Sequence, residues 1–152
     1  MLIYLVRHGD ALAGLRDDVR PLSQKGIDDL KRVAKFLRKA KIEPEAIYHS
    51  GLLRAEQTAE ILLHDLDLKC LLIKKDNLKP EDPVELMLAE IYNLTGPVMI
   101  VGHNPYLSNL LSRLIVGTPD PQIADFKKGT VVCLEKRGKI FYIKWFITPK
   151  IV

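Results

Sequence analysis

Long apolar runs, cysteines and aromatic residues are all scarce in this sequence, and each scarcity closes off a class of protein. No hydrophobic run approaches the ~20 residues that span a bilayer. The first run, Leu2 to Val6, is too short and lacks the basic flank of a secretory signal. The expectation is a cytoplasmic protein that does not engage the membrane. Only two cysteines occur, Cys70 and Cys133, each in an apolar, strand-like run. They read as reduced, buried thiols rather than a disulfide or redox pair. One Trp and four Phe stand among 23 Lys and Arg scattered between 19 acids. The aromatic-and-basic alternation that stacks bases is missing, so the net charge of +4 predicts attraction for anionic substrates rather than nucleic-acid binding. No pair has the short His/Cys/Asp spacing of a zinc site.

What is present is a globular composition, 47% hydrophobic and 28% charged over 152 residues. That length suits one domain, residues 1–152, burying roughly 70% of its unfolded surface. Leu2 to Val6 is a branched and aromatic run ending in Arg7-His8-Gly9, which predicts a buried strand carrying a cation and an imidazole to its carboxyl end. Gly9 is read as permitting a tight turn. A loop from Leu12 to Pro21 leads to a helix capped by Ser23, with Ile27, Leu30, Val33, Ala34 and Leu37 inward and Pro44 as its stop. Ala46 to His49 is a second strand. Ser50 caps a helix from about Leu52 to Asp65 that holds Arg54 in its first turn.

Leu68 to Lys74 reads as a third strand nearer the edge, because of its lysines. Asp82-Pro83-Val84-Glu85 has the pattern of an N-cap, a first-turn proline and a reciprocal capping acid. Val98 to Val101 is a fourth strand entering Gly102-His103-Asn104-Pro105, where Asn104 reads as the cap of the next helix. After a loop from Gly117 to Lys128, Thr130 to Glu135 and Lys139 to Ile147 form a hairpin about Lys136-Arg137-Gly138. The order predicts an α/β fold: a three-layer α/β/α sandwich whose central sheet is mainly parallel, with a C-terminal antiparallel hairpin.

Three strand-to-helix junctions then carry Arg7 and His8, Arg54, and His103. In a parallel sheet they lie on one side, where two guanidinium groups, two imidazoles and free helix N–H groups suit a tetrahedral dianion. Neutral imidazole is a good nucleophile toward phosphorus and the surrounding positive charge keeps it unprotonated, so His8 is the candidate nucleophile, with Arg7, Arg54 and a protonated or hydrogen-donating His103 offsetting charge on the transferring phosphoryl oxygens. His49 reads as structural and His64 as solvent-facing.

These residues carry a resemblance. Arg7-His8-Gly9 after an N-terminal strand resembles the signature of the histidine phosphatase superfamily, also called phosphoglycerate-mutase-like. RHGDA (Arg7 to Ala11), VRPLS (Val19 to Ser23), LLRAEQTAEIL (Leu52 to Leu62) and VGHNP (Val101 to Pro105) together resemble the SixA-type phosphohistidine phosphatases over essentially the whole chain. The resemblance implies that His8 becomes phosphorylated, that Arg7, Arg54 and His103 form the phosphate pocket, and that no metal or organic cofactor takes part. Arg20 and Asn104 are further candidate substrate contacts. Gly51 departs from the family pattern, in which proline commonly follows the serine.

No glutamate stands out as general acid; Asp82 and Asp10 are the candidates, Asp82 also having a capping role and Asp10 one in orienting the loop. A P–N bond to a protonated imidazole needs less leaving-group help than an ester. Apart from Leu12 to Pro21 and Gly117 to Lys128 the connections are short, leaving little chain for a lid. The expected substrate is therefore a phosphohistidine-bearing protein. The alternatives are a small phosphomonoester, with Asp82 or Asp10 as acid, and a phosphate-recognition module without turnover.

Overall fold

Leu2–Arg7, hereafter β1, is completely covered from Ile3 to Val6, and the rest of the chain is layered around it. The computed structural model describes residues 1–152. Parallel to β1 runs β4 (Val98–Gly102), beside it β2 (Ala46–His49), and at the edge β3 (Leu71–Lys74); on the other side β5 (Val131–Arg137) and β6 (Ile140–Ile147) add antiparallel. The sheet order is β3-β2-β4-β1-β5-β6.

Period-two alternation divides the strand residues between two cores. Ile3, Leu5, Val98, Ile100, Val132 and Leu134 face α3 (Glu85–Asn93) and α4 (Tyr106–Ile115). Tyr4, Val6, Ile47, Met99, Val101 and Cys133 face α1 (Gln24–Leu37) and α2 (Leu53–Asp65). The expected three-layer sandwich is thus present, with the C-terminal hairpin at one edge and β3 at the other. No helix is long and apolar enough to cross a membrane.

Several local expectations are corrected. Helix α2 ends in a Schellman arrangement, with Leu68 N–H donating to the Leu63 carbonyl, Asp67 N–H to the His64 carbonyl, and Asp67 left-handed at φ 52°. That turn consumes the residues expected to begin β3, so β3 starts at Leu71 and Cys70 is only half-buried. Strand β5 runs two residues further than expected, through Arg137, and β6 begins one residue later, at Ile140, so the turn falls at Gly138-Lys139. Helix α1 stops at Leu37, well before Pro44, through a 3-10 turn and a left-handed Lys41.

The Asp82 cap is not formed. Its carboxylate accepts from Lys79 N–H and closes the preceding turn, and α3 begins at Glu85 without a side-chain cap. Nor does Asn104 cap α4, because its amide donates to the Phe126 carbonyl and its side-chain oxygen accepts from Ser108. Ser23 does cap α1, accepting from Gly26 N–H.

Candidate active site

Register brings the functional ends level: Arg7 pairs with Gly102 and His49 with Val101, so the segments after β1, β2 and β4 emerge side by side. Because β5 is antiparallel to β1, its beginning lies at the same end and carries the 117–130 loop there.

His8 is 5% exposed and its Nδ1 lies 2.7 Å from the Gly9 carbonyl oxygen. A carbonyl only accepts, so Nδ1 carries the proton and Nε2 presents a lone pair. Arg54 Nε approaches that Nε2 at 3.4 Å, and the His103 ring lies 5.0 Å from the His8 ring, centroid to centroid. Burial, with help from the neighbouring Arg54, Arg7 and Lys128 charges, pushes the His8 pKa down to about 4 against the opposing Gly9 hydrogen bond. Burial and then the charges of His8, Arg54 and Arg7 push His103 to about 2. Both rings are therefore neutral at pH 7.

The two arginines are held by the connections expected as loops, Leu12 to Pro21 and Gly117 to Lys128. Arg7 donates from its terminal nitrogen to the Phe126 carbonyl at 2.6 Å. Arg54 donates to the Asp17 carbonyl at 2.9 Å, and the Asp17 carboxylate lies 3.3 Å from the same nitrogen. Arg20 lies 4.0 Å from the same Asp17 carboxylate oxygen. Burial lowers the pKa of both Arg7 and Arg54, opposed by the charges of Asp125 and Asp17 respectively. Arg7 Nε, Arg20 Nε and His103 Nδ1 are buried without any hydrogen-bond partner. They are three of the six buried side-chain polar atoms left unpaired, the others being on Tyr106, Asn109 and Thr130, where buried polar groups are nearly always bonded. A tetrahedral oxyanion with several acceptor oxygens is the kind of group such nitrogens can hold.

The remaining candidates are placed differently. Asp10 accepts from Ser23 Oγ at 2.7 Å and Lys128 Nζ at 2.9 Å, contacts that hold its carboxyl below the usual range and hence ionised. Asp82 is tied to the 79–82 turn, and its charge acts on Tyr106 of α4. Asn104 spans from Ser108 to the same Phe126 carbonyl that Arg7 uses. His49 is buried and accepts from Gly51 N–H, while His64 is exposed beside Asp65. A cleft of about 310 Å³ opens beside the site, its lining including Arg7, Asp10, Lys25, Lys127, Lys128 and Lys150.

Sequence reading missed Thr58, Gln57, Ser50 and Asp17. Thr58 accepts from Gly9 N–H at 3.0 Å and donates to the Arg54 carbonyl, pinning the tip of β1 to α2. Gln57 accepts from Leu22 N–H and anchors the 12–22 loop. Ser50, expected as a cap, lies 2.6 Å from His103 Nε2 instead. A signal existed for Thr58: it is a polar residue in the inward stripe Arg54, Ala55, Thr58, Ala59, Leu62. Asp17 had no such signal among neighbouring acids.

Comparison with known proteins is consistent with this geometry. Residues 3–79 match the model of the histidine phosphatase superfamily (branch 1), a stretch that includes Arg7, His8 and Arg54. Phosphohistidine phosphatase SixA of Escherichia coli (strain K12) is 31% identical over 154 residues, covering 98% of this chain and 94% of that protein. The structure of the protein histidine phosphatase SixA complexed with tungstate superposes with a TM-score of 0.89 at 29% identity, over 99% of this chain and 98% of that one. A putative SixA from Agrobacterium tumefaciens shares the fold with a TM-score of 0.82 at 23% identity, over 97% of both chains. With a family match over half its length and a SixA relative along nearly all of it, the chain belongs to the histidine phosphatase superfamily (branch 1), as a phosphatase of the SixA type.

Proposed function

We propose that the chain is a phosphohistidine phosphatase that takes the phosphoryl group from a phosphohistidine on another protein onto its own His8. The observation that carries this reading is the lone pair of His8 Nε2, met only by Arg54 Nε at 3.4 Å, together with the buried, unpartnered nitrogens of Arg7 and His103. In the first step a P–N bond forms at His8 Nε2 while the P–N bond to the substrate imidazole breaks. The substrate's imidazolium proton stays with it, so it departs as neutral imidazole. Arg7, Arg54 and the His103 N–H take the charge on the phosphoryl oxygens, with Arg20 and Asn104 at the periphery. Water then attacks phosphorus in line, the P–N bond to His8 breaks with its electron pair returning to Nε2, and the phosphate leaves carrying both water protons while His8 becomes neutral imidazole again.

Preference for a P–N over a P–O bond is supported by the carboxylates. Asp10 is ionised and held by Ser23 and Lys128, and Asp82 is occupied in its own turn. Neither is poised to give a proton to an alkoxide, whereas a protonated imidazole brings its own. A protein-borne substrate is supported by the short connections and by the basic cleft continuing from Arg7.

The test is a side-by-side kcat/KM comparison of a phosphohistidine protein with a panel of phosphomonoesters, together with His8→Ala. Higher kcat/KM on phosphohistidine, and loss of both turnover and trapped phosphoenzyme in the variant, are expected. Large preference for esters overturns the substrate, and undiminished activity of His8→Ala overturns the mechanism.

A further inference from the structure

We propose that Ser50 is a positioning residue that fixes the proton of His103 on Nδ1, so that an N–H rather than a lone pair faces the transferring phosphoryl group. Ser50 sits just after β2 with no exposed surface, and its Oγ lies 2.6 Å from His103 Nε2. The same Oγ accepts from Leu52 N–H at 3.3 Å. A neutral imidazole has one N–H and one acceptor nitrogen, and a hydroxyl has one hydrogen and two lone pairs.

Two arrangements are conceivable. If His103 Nε2 carried the proton, it and Leu52 N–H would both donate to Ser50 Oγ. The serine hydrogen would then be stranded in a fully buried position, because its only other hydrogen-bond partner, Leu52 N–H, is itself a donor. If the hydroxyl donates to a bare Nε2, Leu52 takes a lone pair and every group on that side is satisfied. The ring proton then resides on Nδ1, the buried nitrogen that has no protein partner. A stranded buried polar hydrogen is the costlier state.

The consequence concerns the reaction. His103 is 1% exposed and packs against the His8 ring. With the proton on Nδ1, the ring supplies a neutral donor whose hydrogen bond strengthens as negative charge builds on the phosphoryl oxygens. With the other tautomer, a lone pair would oppose those oxygens. Ser50 thus makes one imidazole of the pair a donor while the Gly9 carbonyl makes the other a nucleophile.

This inference rests on the phosphatase reading for its catalytic meaning, but its first test does not. In the full chain labelled with ¹⁵N-histidine at pH 7.5, with His103 assigned by comparison with His103→Asn, wild type should show a protonated Nδ1 and a bare Nε2. In Ser50→Ala the ring should lose that single tautomer, and kcat should fall about tenfold with little change in KM, less than deleting an oxyanion donor outright. Ser50→Thr, which keeps the hydroxyl, should restore the wild-type nitrogen shifts. A protonated Nε2 in wild type overturns the proposal even if Ser50→Ala does not fold. Unchanged shifts and kcat in a folded Ser50→Ala overturn it too. Absence of phosphate release from wild type with the Nδ1 tautomer intact would instead overturn the phosphatase reading.

Discussion

Around His8 burial and charge act in the same direction. A histidine at the surface titrates near 6.5, but this one is enclosed and faces two arginines and a lysine, so protonation is opposed twice over. The nucleophile is kept unprotonated by the same cations that bind its target. Histidine NMR titration of the free protein should show neither the His8 nor the His103 ring charging between pH 8 and 5.5; a midpoint near 6.5 for either would contradict the burial seen here. Asp17 invites a second residue-scale prediction. Its carboxylate competes with any anion for Arg54, while its main-chain carbonyl holds the guanidinium in place. Asp17→Asn keeps the carbonyl contact and removes the charge, so binding of inorganic phosphate should tighten by about 2- to 5-fold, as for an exposed ion pair worth up to ~1 kcal/mol. Calorimetric titration checks it, and weaker binding would mean that the carboxylate orients Arg54 more than it neutralises it.

Among the elements, α1 and α2 hold the tip of β1, and glycines set how closely they can do so. Besides the tight turn expected of it, Gly9 meets a packing requirement: a side chain there would meet Leu30 and the Gly26 carbonyl. Gly26 in the first turn of α1 lowers helix propensity, yet a Cβ on it would overlap the Asp10 main chain. Gly26→Ala should therefore destabilise by about 1–2 kcal/mol, an overpacking cost of about 2–3 reduced by roughly 1 of helix propensity. Urea denaturation measures this, and stabilisation would show that the α1 start can shift freely. Gly51, the departure from the family pattern, is at φ +83° and donates to His49 Nδ1. Proline satisfies neither condition, so Gly51→Pro should cost roughly 3 kcal/mol in the same measurement.

Elements also show where local patterns mislead. Ser23 and Asp82 look alike as caps, but only Ser23 performs the role. Asp82 finds a nearer donor, Lys79 N–H, in the turn before the helix, and a short polar side chain takes the nearest unsatisfied amide whether or not a helix follows.

For the whole molecule, neutral buried histidines make stability depend on pH in a definite direction. His8 falls from about 6.5 unfolded to about 4 folded. Between those values the unfolded chain binds more protons than the folded one, so stability rises with pH across the window and is fully present above pH 6.5. Lowering pH from 7 to 4 should remove on the order of 3 kcal/mol through His8 alone, with His103 extending the loss further into acid because its pKa is lower still. Thermal unfolding of wild type and His8→Ala between pH 7.5 and 4.5 tests this. The wild-type curve should fall more steeply, and parallel curves would remove His8 as a source of acid instability.

Much of this architecture was legible in the residues because it rests on local chemistry. Two-sided apolar runs gave the central strands, helical spacing gave α1 and α2, and the strand-end positions of Arg7, His8, Arg54 and His103 followed from parallel order. Asp17 on Arg54, the Phe126 carbonyl on Arg7, Thr58 on Gly9 and Ser50 on His103 were not legible. Each joins residues 37 to 119 positions apart through one hydrogen bond or ion pair. Periodicity and composition report which face a residue occupies, and neither reports which donor meets which acceptor once two faces close. By itself the sequence determined the fold class and the four charged or imidazole groups at one end of the sheet. Only the tertiary structure decided the protonation of those groups, because burial depth and hydrogen-bond partners are properties of the packed chain.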